Sequence, residues 1–310
     1  MNKSHLISEI NRLRTEKNAI ILAHYYQSED IQEIADFVGD SLELSKKAQT
    51  TNADIIVFAG VYFMAETAKI LNPNKKVLLP DINAGCSLAD GCHHDDFKLF
   101  KEKYPEHVVV TYINCSAEIK ALSDIVCTSS NAKKIIDSIP MSKNILFAPD
   151  RNLGNYLSKE TKRDLVLWEG SCVVHEAFSL DKLIEIYKKN PTAKIAAHPE
   201  SESHILKTAH YIGSTSGILN FIKTDPSSTF IVATEAGILH QLAKTVPEKT
   251  LIPAPSVQDN TCACSECAYM KINTLEKLFQ CLKNEGPEIS INEKLRIQAL
   301  EPITKMLELS

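Results

Sequence analysis

The chain has 310 residues, a net charge of −5, 44% hydrophobic and 24% charged residues, the balance of an ordinary globular protein. It lacks the basic excess with which nucleic-acid binders meet phosphate. Residues 1–18 are polar and charged, without the apolar core of a signal peptide, and the longest apolar run, residues 55–65, is shorter than the ~18 residues of a membrane span. The expectation is a cytoplasmic protein with neither nucleic acid nor membrane as partner.

From the N-terminus, the first clear element is an apolar strand at residues 20–26 that ends in His24 and Tyr26. Ile31, Ile34, Ala35 and Val38 then keep the spacing of a helix packed on a sheet. Asp40-Ser41-Leu42-Glu43 reads as a helix start with a capping box. A middle strand follows at 54–58, and a third, at 76–79, leads to Cys86. The same series then returns twice, at offsets of 88 and 86 residues. His24 maps to Tyr112 and His198, Ile31 to Ile119 and Ile205, Val38 to Val126 and Ile212, Ser41 to Ser129 and Thr215. In the second copy a strand at 108–114 precedes the stripe Ile119, Leu122 and Val126, the helix start at 128–131, and strands at 144–147 and 165–168 leading to Cys172. In the third, the strand at 194–200 precedes Ile205, Ala209 and Ile212, the start at 214–217, and strands at 229–232 and 250–252 leading to Cys262, Cys264 and Cys267. A register that carries polar as well as apolar residues through two shifts indicates three copies of one unit.

Apolar strands alternating with helices indicate parallel sheets covered on both faces. The fold expected is α/β: three pseudo-threefold-related αβα domains, each with a small parallel sheet, around a central active site. The units are 1–88, 89–173 and 174–267, with 268–310 joining the first. Loops at the carboxyl ends of parallel strands hold ligands, and each unit carries its polar groups and a thiol there. Helix starts bearing Ser41, Ser129 and Thr215 offer N–H groups and hydroxyls to carboxylate or phosphate.

Nine cysteines without an export signal argue against a disulfide framework. Cys281, at helical spacing, reads as core, as do Cys115 and Cys127, the latter at the end of the second unit's helix. Cys92-His93-His94 reads as an exposed turn. The run from Cys262 to Cys267 alone fits a zinc knuckle or a redox pair; in the repeat, one thiolate from each unit converging on a metal cluster is the better reading. A three-cysteine cluster leaves one iron open to act as a Lewis acid.

The motifs His24-Tyr25-Tyr26-Gln27, Gly39-Asp40-Ser41-Leu42, Gly85-Cys86-Ser87-Leu88, Tyr112-Ile113-Asn114, Thr128-Ser129-Ser130, Cys172-Val173-Val174-His175, His198-Pro199-Glu200, Gly213-Ser214-Thr215 and Cys267-Ala268-Tyr269-Met270 together resemble quinolinate synthase, an iron–sulfur transferase of NAD biosynthesis. The resemblance implies one [4Fe–4S] cluster on Cys86, Cys172 and Cys267. It implies condensation of iminoaspartate with dihydroxyacetone phosphate to quinolinate, with release of phosphate and water. The enzyme that supplies iminoaspartate is a further expected partner. Tyr26, His175, His198 and Glu200 are the proton-transfer candidates; His24, Ser41, Tyr112, Asn114, Ser129, His198, Glu200 and Thr215 are the substrate-binding candidates. One departure is that alanine stands at 268 where the family commonly has proline, with extra cysteines at 262 and 264; Tyr269-Met270 anchors the choice of Cys267, and Cys264 is second. Competing readings are an iron–sulfur dehydratase of another small dicarboxylate and a metal-sensing protein using the 262–267 run.

Overall fold

The computed structural model describes residues 2–257 and 265–310; Cys262 and Cys264 lie outside the described residues. One series of elements occurs three times. The first runs α1 (Lys3–Glu16), β1 (Ala19–His24), α2 (Glu29–Ile34), β2 (Phe37–Gly39), α3 (Ser41–Thr50), β3 (Ile55–Ala59), α4 (Tyr62–Leu71), β4 (Lys76–Leu78) and α5 (Ser87–Asp90). The second runs α6 (His94–Glu102), β5 (Val108–Tyr112), α7 (Ala117–Ala121), β6 (Ile125–Cys127), α8 (Ala132–Ser138), β7 (Ile145–Ala148), α9 (Arg151–Thr161), β8 (Leu165–Leu167) and α10 (Val173–Glu176). The third runs α11 (Leu180–Lys189), β9 (Lys194–Ala197), α12 (Ser203–Leu206), β10 (Tyr211–Ile212), α13 (Thr215–Thr224), β11 (Thr229–Ala233), α14 (Ile238–Thr245), β12 (Thr250–Pro253) and α15 (Ala268–Lys271). Two helices close the chain, α16 (Leu275–Asn284) and α17 (Glu293–Glu308).

Each copy builds one four-stranded sheet, in the orders β2-β1-β3-β4, β6-β5-β7-β8 and β10-β9-β11-β12, with every strand pair parallel. The middle strands are apolar and buried along their length, as in Ile55–Ala59 and Ile145–Ala148, because helices cover both faces. Strand order reverses between β1 and β3 and at the equivalent points of the other sheets. The crevice at such a reversal, at the strands' carboxyl ends, is where open α/β sheets hold ligands.

The structure corrects one element in each unit. The stripes read as helices through Val38, Val126 and Ile212 are instead short helices, α2, α7 and α12, each followed by an edge strand, β2, β6 or β10. The cause is a repeated clamp on the first strand. Asp36 donates its N–H to the Ile21 carbonyl and accepts the Ile21 N–H on Oδ2, at 2.9 and 2.8 Å. Asp124 does the same to Val109, at 2.9 and 2.8 Å. His210 does it to Ile195 through Nδ1, at 2.8 and 3.1 Å. A residue bonded this way must be extended, so the helix ends and the chain pairs with the first strand. Cys127 accordingly ends a strand rather than a helix. It is fully buried, as are Cys115 and, to 1% exposure, Cys281. Cys92 corrects the exposed-turn reading: it is 2% exposed and packs with Phe97, while His93 beside it faces solvent as the N-cap of α6.

The closing segment breaks the threefold pattern. Glu288 bridges to Leu78 and α16 packs on α1 and β3, so this segment covers the outer edge of the first sheet. Helix α17 lies across α4, α7 and β6, tying the first two repeats. Among the described residues no helix is long and apolar enough to cross a membrane.

Candidate active site

All three repeats meet at one cavity, which leaves about 60 Å³ to the centres of water-sized molecules. Among the described residues it is lined by His24, Tyr26, Ser41, Cys86, Tyr112, Asn114, Ser129, Cys172, His175, His198, Glu200, Thr215 and Cys267, the catalytic, binding and first-choice metal candidates of the sequence.

The thiols arrive by one device used three times. Cys86, Cys172 and Cys267 are the N-caps of the four-residue helices α5, α10 and α15. Two residues before each cysteine a carbonyl accepts the N–H of the residue that opens the segment after the middle strand: Tyr62 to Ala84 at 2.7 Å, Arg151 to Gly170 at 2.8 Å and Ala236 to Ser265 at 2.9 Å. Fixing the loop to the sheet at this point fixes where the thiol stands. Burial pushes Cys86 up to about 12, Cys267 up to about 11 and Cys172 well above the ordinary thiol range, and backbone N–H groups of the following turn offset only part of this. Lys271 lowers Cys267 only in part, so three buried soft thiols lining one cavity are a donor set that needs a further positive centre to ionise. An iron–sulfur cluster fits it, since coordination deprotonates thiols outright.

Beside the thiols lies a hydrogen-bonded chain of buried side chains. His175 Nδ1 stands 3.0 Å from Glu200 Oε2 and 3.2 Å from Cys172 Sγ, so Cys172, His175 and Glu200 could share one metal ion. Glu200 Oε1 accepts the Tyr112 hydroxyl. His175 Nε2 is 3.0 Å from Thr234 Oγ1, which is 2.7 Å from the Tyr26 hydroxyl, itself 2.8 Å from Thr215 Oγ1. With Nδ1–H donating to Glu200, Nε2 accepts from Thr234 and the chain has one polarity, from Thr215 through Tyr26 and Thr234 to His175 and Glu200. Glu200 is 3% exposed. Burial raises its carboxyl, but the imidazoles of His175 and His198 and the hydrogen bonds from His175 and Tyr112 outweigh that and hold it below the usual carboxylate range. Burial and the Glu200 charge keep Tyr26 and Tyr112 protonated, well above the ordinary phenol range.

The two histidines that end equivalent strands share one internal contact. Tyr26 N–H donates to His24 Nδ1 at 3.2 Å and Glu200 N–H to His198 Nδ1 at 3.4 Å, which leaves the proton on Nε2 of each ring. Burial lowers His24 to about 4 and His198 to about 3, so both are neutral donors at physiological pH. His198 Nε2 meets Ser129 Oγ at 3.1 Å. Asn114 Oδ1 is buried at the cavity without a hydrogen-bond partner among the described residues, an acceptor that a donor can satisfy.

The helix starts form as expected at two places and later at the third. Asp40 caps α3 with the full capping box and Ser214 caps α13, but in the second repeat Asn131 is the N-cap of α8.

Sequence reading missed three polar residues here. Thr234 joins Tyr26 to His175. Glu235 accepts the N–H of Cys267 at 2.9 Å and of Gly237 at 2.7 Å, with Lys271 Nζ 3.3 Å away; burial raises its carboxyl to about 7. Asp150 accepts the Leu153 N–H at 2.8 Å on Oδ1, while Oδ2 is buried without a partner among the described residues. Burial first, then the Glu200 charge, pushes its carboxyl well up. The available signal was positional: Asp150 and Glu235 each stand two residues beyond the middle strand of their repeat.

Fold and site together define a three-repeat α/β protein whose central cavity joins three thiols to a buried network of carboxylate, imidazole and hydroxyl groups. The chain belongs to the quinolinate synthase family, matching the model described as quinolinate synthetase A protein over residues 8–308. It is 62% identical to the quinolinate synthase of Microcystis aeruginosa over 305 residues, 98% of this chain and 95% of that one. The quinolinate synthase of Trichormus variabilis is 59% identical over 98% of this chain and 94% of its own, and that of Thermosynechococcus vestitus 58% over 98% and 95%.

Proposed function

We propose that this quinolinate-forming enzyme of NAD biosynthesis condenses iminoaspartate with dihydroxyacetone phosphate, losing phosphate and water, in a cavity served by Cys86, Cys172 and Cys267. The observation that carries the reading is His175, whose one ring touches the Cys172 thiol, Glu200 and Thr234 at 3.2, 3.0 and 3.0 Å. When bound, a [4Fe–4S] cluster on the three thiolates supplies Lewis-acid chemistry at the iron that lacks a protein thiolate.

This chain's own residues supply binding and proton transfer. Iminoaspartate carries two carboxylates and the triose a phosphate. Ser41 and Ser129 donate hydroxyls to these anions, Thr215 offers the N–H that opens α13 because its hydroxyl proton goes to Tyr26, His24 donates Nε2–H without adding a charge while His198 Nε2–H orients the Ser129 hydroxyl, and Asn114 Oδ1 accepts from the nitrogen of the imine or its enamine tautomer. Glu200 is the ionised acceptor for a carbon-bound proton. Tyr112 and His175 hold its two oxygens in place, and Tyr26 returns a proton through its hydroxyl as a hydroxyl group leaves.

The units 1–88, 89–173 and 174–267, with 268–310 completing the first, are our division of the chain. We assign the enzyme to the cytoplasm, receiving iminoaspartate from the enzyme that makes it. The dehydratase and metal-sensor readings yield to the family match across residues 8–308. Anaerobic assay of iron-loaded protein with iminoaspartate and the triose phosphate tests the proposal: quinolinate and phosphate should form in equal amounts. Iron-loaded protein that forms no quinolinate from this pair would overturn it.

A further inference from the structure

The three segments that present Ser41, Ser129 and Thr215 are equivalent in the repeat, yet they are capped unequally. The first position is Asp40 and its equivalents are Thr128 and Ser214, so one carboxylate stands where the other repeats have hydroxyls. Asp40 is 4% exposed. Its Oδ1 accepts the N–H groups of Leu42 and Glu43, both at 3.0 Å. Its Oδ2 turns away from its own helix and accepts two hydroxyls, Ser130 at 2.7 Å and Ser216 at 2.6 Å. Those serines belong to the second and third repeats and are themselves equivalent in register. One carboxylate therefore holds all three repeats at a point that borders the cavity.

The protons sort themselves. With Ser216 donating to Asp40, Ser214 at 3.2 Å donates to Ser216 and accepts the Gly217 N–H at 3.1 Å. The lock consumes the hydroxyls of Ser130 and Ser216, which do not line the cavity, while the residue before each, Ser129 and Thr215, does. A hydroxyl cap could not replace it, because its single oxygen cannot accept two helix N–H groups and two further hydroxyls at once.

We propose that Asp40 is a positioning residue that gathers the second and third repeats through Ser130 and Ser216, and so sets Ser41, Ser129 and Thr215 at the spacing of the substrate's anionic groups. This rests on the reading above that those three residues bind the substrate. Charge-assisted hydrogen bonds are the stronger kind, so losing both serine contacts is felt at the substrate even though neither serine touches it.

The test uses Ser130→Ala, Ser216→Ala, the double variant and the threonine variants of both, prepared anaerobically with iron loaded. Ser130 is exposed, so its alanine opens no void in the core. Calorimetric titration with quinolinate and steady-state kinetics should give the double variant about ten-fold weaker binding and about ten-fold higher KM, with kcat within three-fold, iron content unchanged, and recovery in the threonine variants. Ser41→Ala and Ser129→Ala serve as the direct arm. If these weaken quinolinate binding and the double variant does not, the lock is wrong and the substrate reading stands. If neither set changes binding, the substrate reading itself fails and the lock with it. A double variant that loses iron or melts early with KM unmoved assigns Asp40 a role in folding alone and overturns the proposal.

Discussion

The three cysteine loops and the three hydroxyl-bearing segments lie in the same repeats, yet the loops keep the threefold pattern and the segments break it. Each cysteine caps a four-residue helix and each loop is pinned by a carbonyl two residues upstream, within 2.7–2.9 Å. The hydroxyl segments instead share one carboxylate, Asp40, and divide their remaining contacts unequally: Ser129 meets His198, whereas Thr215 meets Tyr26. A cluster with three like ligands asks the same of each repeat. Two different substrates that must meet in one orientation do not, and the asymmetry falls on the residues proposed to bind them.

The largest effects test the symmetric side. Cys86→Ala, Cys172→Ala and Cys267→Ala should each abolish both iron content and turnover in anaerobic preparations, because each removes a third of the thiolate set. Cys281→Ala, in the core of α16, should keep full iron. Normal iron and sulfide in Cys172→Ala would mean that the loops are alike for folding reasons only.

Next in size is Glu200→Gln, which keeps shape and removes the ionisable group. Iron content should stay at the wild-type level while turnover falls ~10²-fold or more, the usual contribution of a positioned acid or base. Turnover within a few-fold of wild type would reduce the buried Glu200–His175 pair to a structural contact.

Thr234 sharpens the asymmetric side. Thr234→Val keeps volume and removes the hydroxyl that joins Tyr26 to His175. Turnover should drop about ten-fold or more, since the hydrogen bonds to both Tyr26 and His175 are lost, with quinolinate binding nearly unchanged. Thr234→Ser should restore it. Turnover within a few-fold of wild type in the valine variant would show that the hydroxyl is not what matters there.

Much of this arrangement was legible in the sequence because the repeat register carried polar positions with it. Once His24, Tyr112 and His198 align, equivalent strand ends and a shared cavity follow from the rule for parallel sheets. Edge strands were not legible: Ile31, Ile34 and Val38 satisfy helical spacing and also a short helix followed by a strand, and three-residue strands are too brief to show a period of their own. The clamp that decides between them, Asp36 on Ile21, is a side-chain contact across fifteen residues. Thr234, Glu235 and Asp40's second oxygen were hidden for a related reason. Their significance lies in which partners other repeats bring to them, whereas composition and spacing describe one stretch at a time.

The smallest effect concerns the closing segment, which marks the first repeat off from the others without touching the cavity. Glu285 ends α16 and binds Lys17 at 2.6 Å and also Lys76, joining the C-terminal region to α1 and β4. Hydrogen bonds from Lys17 and Lys76, with their charges, lower its carboxyl from the ordinary 4.5 to about 2. A group lowered on folding stabilises the protein above its unfolded value, and that contribution disappears as pH falls through the folded one. Glu285→Gln should therefore melt slightly below wild type from pH 8 to 5, the gap closing between about pH 4.5 and 2. High salt should narrow it, since both ion pairs lie at the surface, half-buried at Lys17 and exposed at Lys76. Iron content and KM should not move. A fall in either would mean that the closing segment reaches the site through the first repeat, and the contrast between supporting segment and cavity would have to be redrawn.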